Sequence, residues 1–257
     1  MVRQLIDTFG RVHRDLRISV TDRCNFRCTY CMPADGLEWL PREDLLTFEE
    51  IERVARLMVE RHGVESIRLT GGEPTVRANL PTLVGMLADL PVDLSLTTNG
   101  MTLRLVAGKL AAAGLKRINV SLDSLRADRF EELTRRNELP RVLDGIDAAI
   151  EAGLYPVKVN VVVMRGVNDD ELVDLARFGR ERGVEVRFIE FMPLDADRSW
   201  SEGAVVGQDE IVARIGEVFP LEPVDRTSAP ATRYRYVDGA GGIGVVASVT
   251  RSFCDSC

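Results

Sequence analysis

Hydrophobic and polar positions alternate with a two-residue period over six stretches of the chain: 15–20, 66–70, 93–98, 117–122, 156–164 and 185–191. That period marks β-strands, whose successive side chains face opposite sides. Between them the apolar spacing lengthens to that of an amphipathic helix, over 47–62, 103–114, 140–153 and 169–183. Thr47-Phe48-Glu49-Glu50 reads as a capping box opening the first of these helices. Gly63, Gly114, Gly153 and Gly183 stand where C-terminal caps belong. Repeated strand–helix alternation predicts an α/β fold, a parallel sheet wound as a partial (β/α)6 barrel. Past about residue 195 the pattern changes to a loop with Trp200, a helix near 208–219, and β-rich sequence punctuated by Pro and Gly up to Val249. The expected organisation is a barrel over 1–195 and a C-terminal β-rich extension over 196–257.

Within the strands one parity is apolar: Leu16, Ile18 and Val20; Ile67 and Leu69; Leu94 and Leu96; Ile118, Val120 and Leu122; Val157, Val159 and Val161. That face packs on helices. The other parity is polar, with Arg17, Ser19, Arg68, Thr70, Ser95, Thr97, Asn119, Ser121, Lys158, Asn160 and Arg187. A closed eight-stranded barrel fills its interior with branched apolar side chains. This inner wall reads instead as the lining of a wet, ligand-holding cavity. It carries four cations: Arg17, Arg68, Lys158 and Arg187. Taken singly, each fits a snorkelling residue or half of an ion pair equally well. Together on one parity they point to a multiply charged anion such as a nucleotide triphosphate, because guanidinium forks and ammonium charges suit phosphate oxygens.

Composition narrows the class. At 45% hydrophobic the chain can build a sizeable core, and its net charge of −7 gives no support to nucleic-acid binding. No apolar run of about eighteen residues exists to span a membrane, and the first residues lack the apolar segment of a signal peptide. Five cysteines in that setting indicate a reducing cytoplasm and metal ligation rather than disulfides.

Three of those cysteines form the run Cys24-Asn25-Phe26-Arg27-Cys28-Thr29-Tyr30-Cys31. Three thiolates on one [4Fe–4S] cube leave an iron open to a substrate or cofactor. A zinc knuckle is the bland alternative, but zinc usually takes a fourth Cys or His nearby. Thr70-Gly71-Gly72-Glu73-Pro74 follows the second strand; its glycines admit close backbone approach, and Glu73 offers a carboxylate to an ammonium group. Alone it is also a plain strand-to-helix turn. Thr97-Thr98-Asn99-Gly100, Val120-Ser121-Leu122-Asp123 and Phe191-Met192-Pro193 end the third, fourth and sixth strands. Cys254-Asp255-Ser256-Cys257 is a second pair, read as half of a metal site or a redox pair.

The cysteine run with its aromatic before the last cysteine resembles the radical S-adenosylmethionine (SAM) superfamily. The segments 15–33, 67–74, 96–100, 117–123, 157–162, 166–169, 187–192 and 252–254 resemble the GTP 3′,8-cyclases of molybdenum cofactor biosynthesis. The resemblance implies a partial radical SAM barrel that converts GTP to (8S)-3′,8-cyclo-7,8-dihydroguanosine 5′-triphosphate by way of a SAM-derived 5′-deoxyadenosyl radical. It implies that Cys24, Cys28 and Cys31 hold a [4Fe–4S] cluster, and that Tyr30, Gly72, Ser121 and Met192 contact SAM. Arg17, Arg68, Thr97 and Lys158 would hold GTP, with Arg187 a further candidate at the phosphates. Cys254 and Cys257 would hold two irons of a second [4Fe–4S] cluster. In the family an Arg-rich segment, a third cysteine and a terminal Gly-Gly follow that pair; none follows here, so the chain reads as truncated and its second cluster as incomplete. Implied partners are GTP, an electron donor, the next enzyme of the molybdopterin pathway and a second copy in a homodimer. Three alternatives stay open: a peptide-modifying radical SAM enzyme, an Fe–S protein of electron transfer or sensing, and a GTP-binding fragment without turnover.

Overall fold

A computed structural model describes residues 3–194, 200–224 and 230–251. Six parallel strands run β1 (Asp15–Ser19), β2 (Ser66–Thr70), β3 (Asp93–Thr98), β4 (Arg117–Ser121), β5 (Val157–Val163) and β6 (Glu185–Glu190). Each lies within the stretch its two-residue period marks. The helices between them are α1 (Phe48–His62), α2 (Leu80–Ala88), α3 (Leu103–Ala112), α4 (Ala127–Thr134), α5 (Leu139–Glu151) and α6 (Leu172–Arg182). Then come α7 (Gln208–Gly216), β7 (Leu221–Pro223), β8 (Thr232–Tyr236) and β9 (Gly242–Val246).

The capping box forms as written: Glu50 N–H donates to Thr47 Oγ1 at 3.2 Å and Thr47 N–H to Glu50 Oε2 at 2.8 Å. The four capping glycines all take positive φ, as a residue after a helix end must when the chain turns left-handed. Two helices escape the periodic pattern. α2 reads Leu-Pro-Thr-Leu-Val-Gly-Met-Leu-Ala, nearly apolar throughout and holding a proline and a glycine, and it buries Leu80, Leu83, Val84 and Leu87. α4 is a short amphipathic piece that seats Phe130 and Leu133 in the core. The segment 169–171 is a 3-10 turn, so α6 starts at Leu172, and α7 ends at Gly216.

The strands form one nine-stranded sheet in the order β1-β2-β3-β4-β5-β6-β9-β8-β7. The late strands therefore extend the barrel sheet: β9 pairs parallel with β6, and β8 and β7 follow antiparallel. The wall is open between β1 and β7. The apolar parity is buried against the helices, with Ile67, Leu69, Leu94, Leu96, Ile118, Val120, Val157, Val159 and Val161 all at 3% exposure or less. At roughly 1.5–3 kcal/mol for each fully buried side chain, that face is the main cohesive force of the barrel. The polar parity then faces the lumen by necessity.

Candidate active site

The cysteine loop follows β1 at its C-terminal end and is gripped from two sides. On one side, Gly72 N–H donates to Thr21 O at 2.7 Å and Glu73 N–H to Arg23 O at 2.8 Å. A Cβ on Gly72 would lie 2.4 Å from the carbonyl oxygens of Asp22 and Arg23, so glycine alone fits. On the other side the end of α4 pairs with the loop, Arg27 N–H to Thr134 O at 3.0 Å and Thr29 N–H to Leu133 O at 2.9 Å. Phe26 anchors the loop in the core, edge-on to Phe130 at 5.9 Å.

Cys24 and Cys28 are half-buried and Cys31 is exposed, all three as free thiols. Burial pushes each thiol up, Cys28 far above its ordinary range, and the thiols act on one another electrostatically. Three thiolates at this spot therefore call for a strongly positive centre. Among the described residues no group of three or more His, Cys, Asp and Glu is arranged to hold a metal ion. A four-iron cube takes one thiolate per corner rather than gathering all its ligands on one ion. Phe26 N–H already points at Cys24 Sγ at 3.4 Å, as an amide does toward a cluster sulfur. The donor set fits such a cluster with one iron left open.

Tyr30, between Cys28 and Cys31 in the run, donates its hydroxyl to Asp123 Oδ2 at 2.6 Å. Asp123 is buried, accepts Val162 N–H at 2.8 Å, and burial raises its pKa to about 6. Ser121 is the last residue of β4, and Met192 lies two residues beyond β6, both half-buried. Tyr30, Gly72, Ser121 and Met192 thus all stand at the C-terminal end of the sheet, the end from which the cysteine loop leaves β1.

Glu73 departs from expectation. It is buried at 1% exposure, with Oε1 accepting from Thr75 N–H at 3.0 Å and Thr98 Oγ1 at 2.6 Å, and Oε2 from Asn99 N–H at 2.6 Å. Burial raises its pKa against these bonds. Its carboxylate is turned inward and ties the β2 loop to the end of β3, because a buried acid takes the nearest N–H and O–H donors. It is not offered to a ligand's ammonium group.

Deeper in the lumen lie the cations. Arg17 and Arg68 are register partners in mid-strand on β1 and β2. Lys158 is the second residue of β5, beside Asn119 of β4, which donates to Thr97 Oγ1 at 3.3 Å. Along β5, Lys158 is two residues, about 7 Å, below the partner of Ser121. Among the described residues Arg17, Arg68 and Lys158 have no hydrogen-bond or ion-pair partner, and the buried Nε of Arg68 is orphaned. Burial and then the charges of Arg17, Arg117 and Arg187 push the Arg68 pKa down. Burial, then Arg187, pushes Lys158 down to about 8. Arg187 differs: it is paired with Glu185 at 2.7 Å, and Glu185 also meets Arg233 at 3.2 Å. A cavity of about 660 Å³ opens over Lys158, Glu185, Arg187 and Arg233.

The structure thus brings together eleven of the candidates, in two groups: Cys24, Cys28, Cys31, Tyr30, Gly72, Ser121 and Met192 at the strand ends, and Arg17, Arg68, Thr97 and Lys158 below them. Cys254 and Cys257 lie outside the described residues. Sequence reasoning missed Glu185 and Arg233, and it missed Glu190. Glu190 is fully buried at the end of β6 and accepts N–H groups of Gln208 at 3.0 Å and of Val249 and Thr250 at 2.8 Å. The signal was present: an acid on the helix-facing parity of a strand must find internal donors.

Known proteins resemble this chain over nearly its whole length. Residues 18–179 match the Radical SAM superfamily, and residues 184–257 match Molybdenum Cofactor Synthesis C. The chain is 52% identical to a GTP 3′,8-cyclase of Rhodopirellula baltica, over 98% of this chain and 72% of that protein. It is 51% identical to a GTP 3′,8-cyclase of Streptomyces coelicolor, over 98% of this chain and 76% of that protein. Among solved structures, SuiB of Streptococcus suis superposes with a TM-score of 0.64 at 19% identity, over 79% of this chain and 45% of that one, a likeness of fold.

Proposed function

The chain belongs to the GTP 3′,8-cyclase family of the radical SAM superfamily, and we propose that its lumen binds GTP below a SAM-binding cluster and cyclises it for molybdenum cofactor biosynthesis. A [4Fe–4S] cluster and SAM are the family's cofactors. When bound, they supply the 5′-deoxyadenosyl radical chemistry that removes a hydrogen from an unactivated carbon. Everything else is the work of this chain's residues. Cys24, Cys28 and Cys31 hold the cluster at the strand ends. Tyr30, Gly72, Ser121 and Met192 would contact SAM and orient it. Arg17, Arg68 and Lys158 take the triphosphate, with Arg187 beside them, and Thr97, in register with Lys158 through Asn119, lies in the same group. Fixing the phosphates below presents the ribose to the cluster above, and that positioning is the protein's contribution to the rate.

One observation carries the reading: three lumen cations without a partner among the described residues, one with an orphaned buried Nε, below free thiols at the strand ends. Unpaired charge in a partly buried site is costly unless a ligand supplies the counter-charge. We further propose that Cys254 and Cys257 contribute to a second [4Fe–4S] cluster, supported by their C-x2-C spacing and the Molybdenum Cofactor Synthesis C match. We read 1–195 as the barrel unit and 196–257 as its extension. The same reading includes an electron donor, a homodimer and delivery of the product to the next enzyme. Among the described residues no helix is long and apolar enough to cross a membrane.

The test is anaerobic. The chain is reconstituted with iron and sulfide, supplied with SAM, GTP and dithionite, and its products are followed by mass spectrometry. The expected result is 5′-deoxyadenosine together with a GTP isomer. A loaded first cluster that yields no 5′-deoxyadenosine refutes the radical SAM assignment. Deoxyadenosine that forms equally with and without GTP, and with no nucleotide product, refutes the placement of GTP.

A further inference from the structure

We propose that Arg135 is a positioning residue that clamps the cysteine loop from outside and holds positive charge beside the first cluster. It is the residue after α4 and takes a left-handed backbone conformation, φ 55°. Glycine or asparagine would cap the helix at less cost, and a strained non-glycine residue persists only where its surroundings fix it. Contacts to the loop help to fix this one. Arg135 Nη1 donates to Arg27 O at 2.9 Å and to Met32 O at 3.1 Å, the two carbonyls that bracket Cys28 and Cys31.

Two neighbours repeat the device. Arg136 Nε donates to Asn25 O at 2.9 Å, and Arg27 Nη1 donates to Cys24 O at 2.7 Å and Phe26 O at 2.8 Å. Five carbonyls of the 24–32 stretch therefore end on guanidinium groups. A peptide whose C=O is drawn outward turns its N–H the other way, and the Phe26 N–H does point at Cys24 Sγ. Amide donors and nearby positive charge are the levers by which a protein sets a cluster's potential and retains it. The inference rests on the reading of Cys24, Cys28 and Cys31 as cluster ligands. None of the three arginines belongs to the substrate cations of the lumen.

The test uses the whole chain with Arg135→Gly and Arg135→Lys. Glycine accepts the left-handed conformation freely, so this variant removes the clamp while relieving backbone strain. Its melting temperature should equal or exceed that of the wild type. In the iron-free proteins, amide hydrogen exchange over residues 28–32 should be at least tenfold faster in Arg135→Gly. In the loaded proteins, a chelator should strip iron several-fold faster, and a redox titration followed by EPR should place the cluster at a more negative potential. Arg135→Lys keeps the charge but not the fork, so it should restore the potential more fully than iron retention. If exchange, retention and potential in Arg135→Gly all match the wild type, the clamp is refuted. Should glycine unfold the end of α4, Arg135→Asn, also tolerant of this conformation, gives the same comparison. A wild-type chain that takes up no cluster would overturn the ligand reading instead, and exchange in the iron-free chain would still decide whether Arg135 holds the loop.

Discussion

Replacing Lys158 by methionine should weaken GTP binding and raise thermal stability at the same time. The ammonium is half-buried in the lumen and has no ion-pair partner among the described residues; burial and the Arg187 charge lower its pKa from 10.5 to about 8. At about 1.4 kcal/mol per pH unit, that fall sets a ceiling of about 3 kcal/mol on the strain of keeping the charge; solvent access reduces it to about 1 kcal/mol. The sign follows from the folded pKa lying below the unfolded one. The penalty is fully present below about pH 8 and is lost as pH climbs toward 10.5. Methionine keeps the volume and drops the charge, so at pH 7 the variant should melt about 2–4 °C higher. On the ligand side, a hydrogen bond from an ammonium to a phosphate is worth about 1.5–3 kcal/mol, or roughly 10- to 150-fold in Kd. Wild-type affinity should also fall between pH 8 and 10, relative to the variant, as the free lysine loses its proton. Equilibrium dialysis of GTP and calorimetric melting across that pH range read both effects. If Lys158→Met lowers stability and leaves Kd unchanged, the lysine is a structural residue and the phosphate assignment is wrong.

Gly72→Ala should abolish 5′-deoxyadenosine formation and lower the melting temperature, because its Cβ meets two backbone oxygens at 2.4 Å and neither can move without shifting the cysteine loop. A variant that melts like the wild type and still cleaves SAM would show that the loops are not packed as described. Glu190→Gln replaces one of two accepting oxygens with a donor facing N–H groups of Gln208, Val249 and Thr250. That should cost about 2–3 kcal/mol, visible as a lower melting temperature and faster amide exchange at Val249 and Thr250, with the β1–β4 amides unchanged.

Strand parity makes the lumen legible in the sequence alone. In a partial barrel each strand has one face on helices and one on the cavity, so the period-two pattern sorts Arg17, Arg68 and Lys158 from Ile67, Leu69 and Val159 directly. Parity also carried a signal that went unread: Glu185 and Arg187 share a face two residues apart, so their ion pair was implied by position. Other features had no local trace. The parallel pairing of β9 with β6 joins residues nearly sixty apart, and nothing in the late β-rich stretch says which edge it will meet. α2 has Thr82 as its one polar side chain, so no polar face marks a helical period even though only Leu80, Leu83, Val84 and Leu87 are buried.

Motif and chemistry part company most clearly at Glu73 and Arg135. The Gly-Gly-Glu motif marked the right loop but could not say which way the carboxylate turns. That is decided by Thr98 and Asn99, which belong to another strand's end. Arg135 and Arg136 look like solvated charges after a helix until the fold lays α4 against the cysteine loop. Both cases follow one rule: polar groups near the strand ends are settled by partners on other elements. Lumen cations are different, because Arg17, Arg68 and Lys158 have no partner to find among the described residues. Periodicity located them without tertiary information because strand parity alone fixes which face of the sheet a side chain takes.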